Sequence, residues 1–189
     1  KQGVTYNLPD GYVALTFDDG PSIYTKEIVE ILKQYNVGGT FFFVGNNVNK
    51  YPEYVTYVQS SGYSIGNHST SHKELTKISK GEIKEEIDLT ESYLKEITGQ
   101  SIDLFRPPYG SMNNDLLTTI SDRNFKTIMW NRDTEDWNSR DTNAIINYVF
   151  ETESSGSIYL FHELEATVEA LPIIIEHLQS QGLKIVSLQ

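Results

Sequence analysis

Apolar positions along this chain alternate between two periods. Short blocks suited to buried strands fall at 13–17, 40–44, 63–67, 104–106, 125–130, 157–161 and 184–188, with helical spacing between them. Ile28, Ile31, Leu32 and Tyr35 mark the first helix. A second covers 52–61, with Pro52 in its first turn and Gly62 beyond its end. Ser79 and Glu82 form a capping box at the head of a long helix whose apolar face carries Ile83, Ile87, Leu94 and Ile97; Gly99 ends it. Further helices are predicted over 114–123, after an Asp141 cap with Ile145, Ile146, Val149 and Phe150 inward, and from about Thr167 to Gln181, with Pro172 near the start. Strands alternating with helices predict an α/β fold with a parallel sheet. Seven strands suit a distorted (β/α) barrel better than a flat, doubly wound sheet.

Length and charge narrow the picture. The 189 residues form one domain with a full core, and the longest apolar runs are too short to span a bilayer. No basic-then-apolar leader precedes Val4. Fifteen basic against 26 acidic residues give a net charge of −11, which argues against binding nucleic acid or anionic membranes. Without cysteine there is neither a disulfide framework nor a thiolate site, which fits cytosol and export equally. No glycine-rich dinucleotide fingerprint or P-loop follows any strand.

The polar clusters sit just past predicted strand ends: Asp18-Asp19, then His68 to His72, Arg106 to Gly110, Asp133 to Trp137, and His162-Glu163. In a parallel β/α array those ends share one face, where such folds place their sites. Asp-Asp-Gly-Pro alone reads equally well as a surface turn. At a strand end, however, its carboxylates can diverge, one toward a metal and one toward a water. His68 and His72, four apart, would share one side of a helical turn; alone, this spacing also describes surface histidines. Two imidazoles and one carboxylate leave coordination positions open for water and substrate. Arg106, stiffened by Pro107-Pro108, could grip a carboxylate bidentately and keep Asp18 ionised. Trp137 reads as core or as a sugar-stacking wall. His162 reads as a buried, hydrogen-bonded histidine or, with a carboxylate partner raising its pKa, as a general acid. His177 lies in a helical pattern and reads as structural or solvent-facing.

These five clusters, in this order from Thr16 to His162, resemble the motifs of the polysaccharide deacetylases, the NodB-homology domain of carbohydrate esterase family four. The resemblance implies that residues 1–189 are a catalytic domain with a distorted (β/α) barrel. It implies metal-dependent removal of acetyl groups from a β-1,4-linked glycan: chitin, chito-oligosaccharide or peptidoglycan first, O-acetyl xylan as the alternative. A glycan-binding protein with weak turnover is a further alternative. By position, Asp19, His68 and His72 would hold a divalent metal, zinc first and cobalt or another divalent ion otherwise. Asp18 would be the base, oriented by Arg106, and the Tyr109 N–H would meet the oxyanion. His162, tuned by Asp136, would protonate the leaving group, and Trp137 and Leu160 would wall the acetyl methyl. Secretion or cell-wall attachment is expected on the same basis; a monomeric state is also expected. One departure stands out: Glu163 follows His162 where the family usually has Asp.

Overall fold

The computed structural model describes residues 3–189. Nine strands occur among them: β1 (Val4–Thr5), β2 (Tyr12–Gly20), β3 (Thr40–Phe43), β4 (Ser64–Asn67), β5 (Leu104–Phe105), β6 (Lys126–Ile128), β7 (Arg132–Asp133), β8 (Ser157–His162) and β9 (Lys184–Ile185). Every pairing is parallel, in the order β1-β6-β5-β4-β3-β2-β8-β7, with β9 added beside the start of β2. No pairing joins β7 to β1 among the described residues, so the barrel is open on that side. Four strands, β1, β5, β7 and β9, are two residues each; β1 and β7 lie outside the apolar blocks, and sequence periodicity does not predict them.

The helices are α1 (Thr25–Gln34), α2 (Gly45–Lys50), α3 (Pro52–Ser60), α4 (Lys80–Thr98), α5 (Asn114–Asp122), α6 (Asp136–Ser139), α7 (Thr142–Phe150) and α8 (Glu165–Ser180). The predicted capping signals have physical counterparts. Ser79 Oγ accepts the Glu82 N–H and Asp141 caps α7 through the Ala144 N–H; Asn113, not singled out from the sequence, caps α5 through the Leu116 N–H. Gly99 closes α4 with a left-handed φ of 71°. Helix α8 starts at Glu165, ahead of the predicted Thr167, and contains Pro172 in its interior. Phe150, predicted inward, is 48% exposed and instead stacks on His177 of α8 at 4.1 Å.

Alternation along the strands builds two apolar layers. On β2, Val13, Leu15 and Phe17 join Ile28 and Leu32 of α1 and Ile174 and Leu178 of α8 in the outer layer. Ala14, on the opposite face, packs with Phe42, Leu104, Ile128, Ile158 and Leu188. Those residues come from strands as far apart in the order as β6 and β8, so the sheet must curl around them. The fully buried phenylalanines each contribute about 1.5–3 kcal/mol of burial. The inner face turns polar toward the C-terminal strand ends. There Thr16, Asp18, His68, Arg106, Leu160 and His162 follow the same parity as the inner apolar residues.

Candidate metal centre and hydrolytic site

Strict alternation would send Asp18 and Asp19 to opposite faces of β2. A bulge prevents this. Asp18 pairs with Phe42 and Gly20 with the next residue, Phe43, leaving Asp19 as the extra residue, with φ 73°. Its peptide is held by Asn47, whose amide donates to the Asp19 carbonyl at 2.8 Å, and by the Val44 N–H on the Gly20 carbonyl at 2.8 Å. Both carboxylates therefore reach the same pocket.

His68 and His72 meet without a helical turn. Residues 68–72 form a loop in which Ser69 and His72 take left-handed φ values of 68° and 60°. Asn67 Oδ1 accepts the Ser69 N–H, Ser69 Oγ accepts the His72 N–H, and Glu86 of α4 accepts the Ser71 N–H at 2.9 Å. These bonds bring the two rings to 4.9 Å, edge to face. His68 Nδ1 lies 2.7 Å from the Arg106 carbonyl, an acceptor, so Nδ1 carries the proton and Nε2 presents a lone pair. Asp19 Oδ1 lies 3.3 Å from His68 Nε2 and 3.2 Å from His72 Nε2, and is otherwise unsatisfied and buried. Tetrahedral Zn–N and Zn–O bonds of about 2.0–2.2 Å imply donor–donor edges of roughly 3.3–3.6 Å; the two Asp19–His distances lie at the short end of that range, so the three donors suit a divalent cation. When the imidazoles are instead protonated at Nε2, burial pushes the Asp19 carboxyl up, but their hydrogen bonds and charge outweigh it and hold it well below the usual carboxylate range.

Asp18 sits on one side of this cluster. Arg106 is fully buried, and its Nη1 donates to Asp18 Oδ1 and Thr16 Oγ1, both at 2.8 Å. Its Nε and Nη2 donate to the Ile128 and Met129 carbonyls at 3.1 and 2.9 Å. The contact with Asp18 is thus single rather than bidentate, because the remaining donors anchor the guanidinium to β6 and its flank. Its faces are covered by Phe42 at 4.3 Å and Trp130 at 5.4 Å.

His162 sits on the other side. Its Nδ1–H donates to Asp136 Oδ1 at 2.8 Å, and its Nε2 points at Asp19 Oδ2, 3.8 Å away. Asp136 is completely buried and also accepts from the His162 N–H, the Trp137 N–H and Thr167 Oγ1. Burial lowers the His162 pKa, but the Asp136 hydrogen bond and the charges of Asp18, Asp136 and Asp19 carry it up to about 9.

A cavity of about 440 Å³ joins these groups, lined also by Tyr109, Trp130, Asp133, Trp137 and Leu160. Trp137 is 53% exposed at its rim, so it is no core residue. The Tyr109 ring packs edge-on to His72 at 4.8 Å, on a backbone with φ 62°. Every residue named from the sequence for the site lies in this cavity or bonds directly to a residue that does. Trp130 is an addition, for which strand parity with Ile128 is the available signal; Asp133 is marked by the sequence only as part of its polar cluster, with no role. His177 lies elsewhere, on α8 against Phe150. Glu163 faces away from the cavity, with its carboxyl pushed up to about 7 by burial.

The family model described as polysaccharide deacetylase matches residues 5–128. A peptidoglycan-N-acetylglucosamine deacetylase of Bacillus cereus is 38% identical over 182 residues, 93% of this chain; the chain spans 66% of that relative's length. A crystal structure of a peptidoglycan N-acetylglucosamine deacetylase bound to an N-oxidanyl-benzamide superposes with a TM-score of 0.94 at 36% identity, covering 99% of this chain and 91% of the other. A CE4 family pseudoenzyme from Bacillus anthracis also superposes with a TM-score of 0.94, at 29% identity, over 100% of this chain and 68% of the other. The chain belongs to the polysaccharide deacetylase family.

Proposed function

We propose that residues 1–189 form a metal-dependent deacetylase that hydrolyses N-acetyl groups on a β-1,4-linked glucosamine-containing glycan, with peptidoglycan or chito-oligosaccharide as substrate, acting outside the cell or in its wall as a monomer. The observation that carries this reading is the Asp19–His68–His72 donor set placed between an Asp18–Arg106 pair and a His162–Asp136 pair in one cavity. A peptidoglycan-directed relative at 38% identity supports the substrate class.

A divalent ion held by the three donors, zinc first, would supply the Lewis-acid charge that makes water acidic near neutrality and polarises an acetyl carbonyl. Asp18 accepts the proton of the attacking water, and Arg106 fixes the carboxylate for that transfer. The Tyr109 backbone N–H donates to the oxygen on which negative charge develops. His162, protonated through its partnership with Asp136, delivers a proton from Nε2 to the departing amine. Trp137 and Leu160 enclose the acetyl methyl. Water and amide become acetate and a free amine.

Likeness to a pseudoenzyme means that the fold does not by itself secure turnover; here the base, acid and ligand side chains are all present. Acetate release from chitopentaose, peptidoglycan and acetylated xylan, before and after chelation and on adding back zinc or cobalt, tests the reading. Release from the N-acetyl substrates that stops on chelation supports it. Release from xylan alone moves the substrate to an ester, and activity indifferent to chelation overturns the metal-centred mechanism.

A further inference from the structure

Glu163 lies just past the end of β8, after His162, and does not line the cavity. It is buried beneath the turn that follows Asp19. Its Oε1 accepts from Ser22 Oγ at 2.8 Å and from Thr25 Oγ1 at 2.5 Å, while Thr25 Oγ1 accepts the Ser22 N–H at 2.8 Å. Its Oε2 has no hydrogen-bond partner and fills the space beside Gly20; a Cβ there would stand 1.7 Å from it. Gly20 has no left-handed φ, so space rather than backbone freedom is what requires a glycine here.

Asp19, immediately before Gly20, does carry a left-handed φ of 73°. A non-glycine residue persists there only when its surroundings hold it. Asn47 and Val44 hold the turn on one side, and the Glu163 carboxylate closes it on the other. We propose that Glu163 is a positioning residue for Asp19: it locks the Gly20–Ser22 turn and so sets the bulged backbone that aims Asp19 Oδ1 at His68 and His72. The proposal rests on the reading of Asp19, His68 and His72 as metal ligands. An Asp at 163 is one methylene shorter; Gln keeps both length and acceptor.

The test is calorimetric titration of folded, metal-free protein with Zn²⁺, together with the visible absorption of the Co²⁺-loaded protein. Partners behind metal ligands typically change affinity by about 10–100-fold. Glu163→Ala is expected to weaken Zn²⁺ binding by about 10-fold and alter the Co²⁺ spectrum, with Glu163→Gln close to wild type. Gly20→Ala is expected to weaken binding similarly, and Gly20→Ala with Glu163→Ala to cost less than the two losses combined, because the carboxylate no longer opposes the methyl. Wild-type affinity and spectrum in Glu163→Ala, or strictly additive losses, overturn the proposal while leaving the ligand assignment intact. Absence of Zn²⁺ binding by the wild type overturns both. Should the Gly20 variants fail to fold, the comparison of Glu163→Ala with Glu163→Gln decides alone.

Discussion

His68 and Arg106 are joined by a 2.7 Å hydrogen bond from the imidazole Nδ1 to the arginine backbone carbonyl. One residue thereby serves both halves of the site. Its carbonyl selects the His68 tautomer that leaves Nε2 free for a cation, and its guanidinium holds the neighbouring carboxylate of Asp18. The His68 ring and the Asp18 carboxylate are set by a single rigid anchor.

Removing that anchor is expected to be expensive. Arg106→Ala leaves Asp18 buried without its countercharge, and breaking a buried pair from one side costs about 3–5 kcal/mol. Urea unfolding of the purified variant measures this. A loss below about 1 kcal/mol would mean that Asp18 and Thr16 are satisfied without the guanidinium.

Asp18→Asn keeps the shape of the side chain and removes its basicity. Acetate release is expected to fall by about 10²–10⁴-fold, the usual contribution of general base catalysis. Zn²⁺ affinity is expected to stay near wild type, because the proposed metal donors are Asp19, His68 and His72. Turnover at the wild-type rate would remove Asp18 from the role of base.

Much of this site is legible in the chain because polar residues interrupt apolar strands at their ends, as Asp18, His68, Arg106 and His162 do. What strand period cannot supply is the backbone irregularity that brings the groups together. The Asp19 bulge and the left-handed Ser69 and His72 are set by distant partners, Asn47 and Glu86 among them. Helix α2 escapes for a different reason: Gly-Asn-Asn-Val-Asn-Lys has weak helix formers and one apolar position, so tertiary contacts decide it. Phe150 satisfies the apolar face of α7 by pattern, yet lies at the helix end, where an exposed stacking contact with His177 replaces core burial. Glu163 looks like a site residue by adjacency to His162, yet its carboxylate is bonded to Ser22 and Thr25 and does not line the cavity.

The His162–Asp136 pair carries a pH signature in the metal-free protein. The native pKa of about 9 lies above the unfolded value of 6.5, so the stabilisation is complete below about pH 6.5 and disappears as pH rises toward 9. A shift of that size corresponds to roughly 3 kcal/mol. Asp136→Asn removes the chief raising influence, so stability measured against wild type should flatten across this window, and the His162 NMR titration should move downward. An unchanged titration midpoint would show that Asp136 does not govern the imidazole.

Trp137 stands half-exposed at the cavity rim, so its role in binding can be separated from stability. Trp137→Ala is expected to raise KM for a chito-oligosaccharide several-fold, because the apolar C–H face of a sugar ring loses its contact with the exposed indole, while the unfolding midpoint moves little. Steady-state kinetics beside a thermal melt checks this; an unchanged KM would place the sugar elsewhere in the cavity.

The most direct measurement is an anomalous difference map at the zinc edge from crystals grown with Zn²⁺. The account predicts one strong peak within about 2.0–2.2 Å of Asp19 Oδ1, His68 Nε2 and His72 Nε2 together. Crystals that show no peak among these three atoms, or a peak bound by other residues, would contradict it.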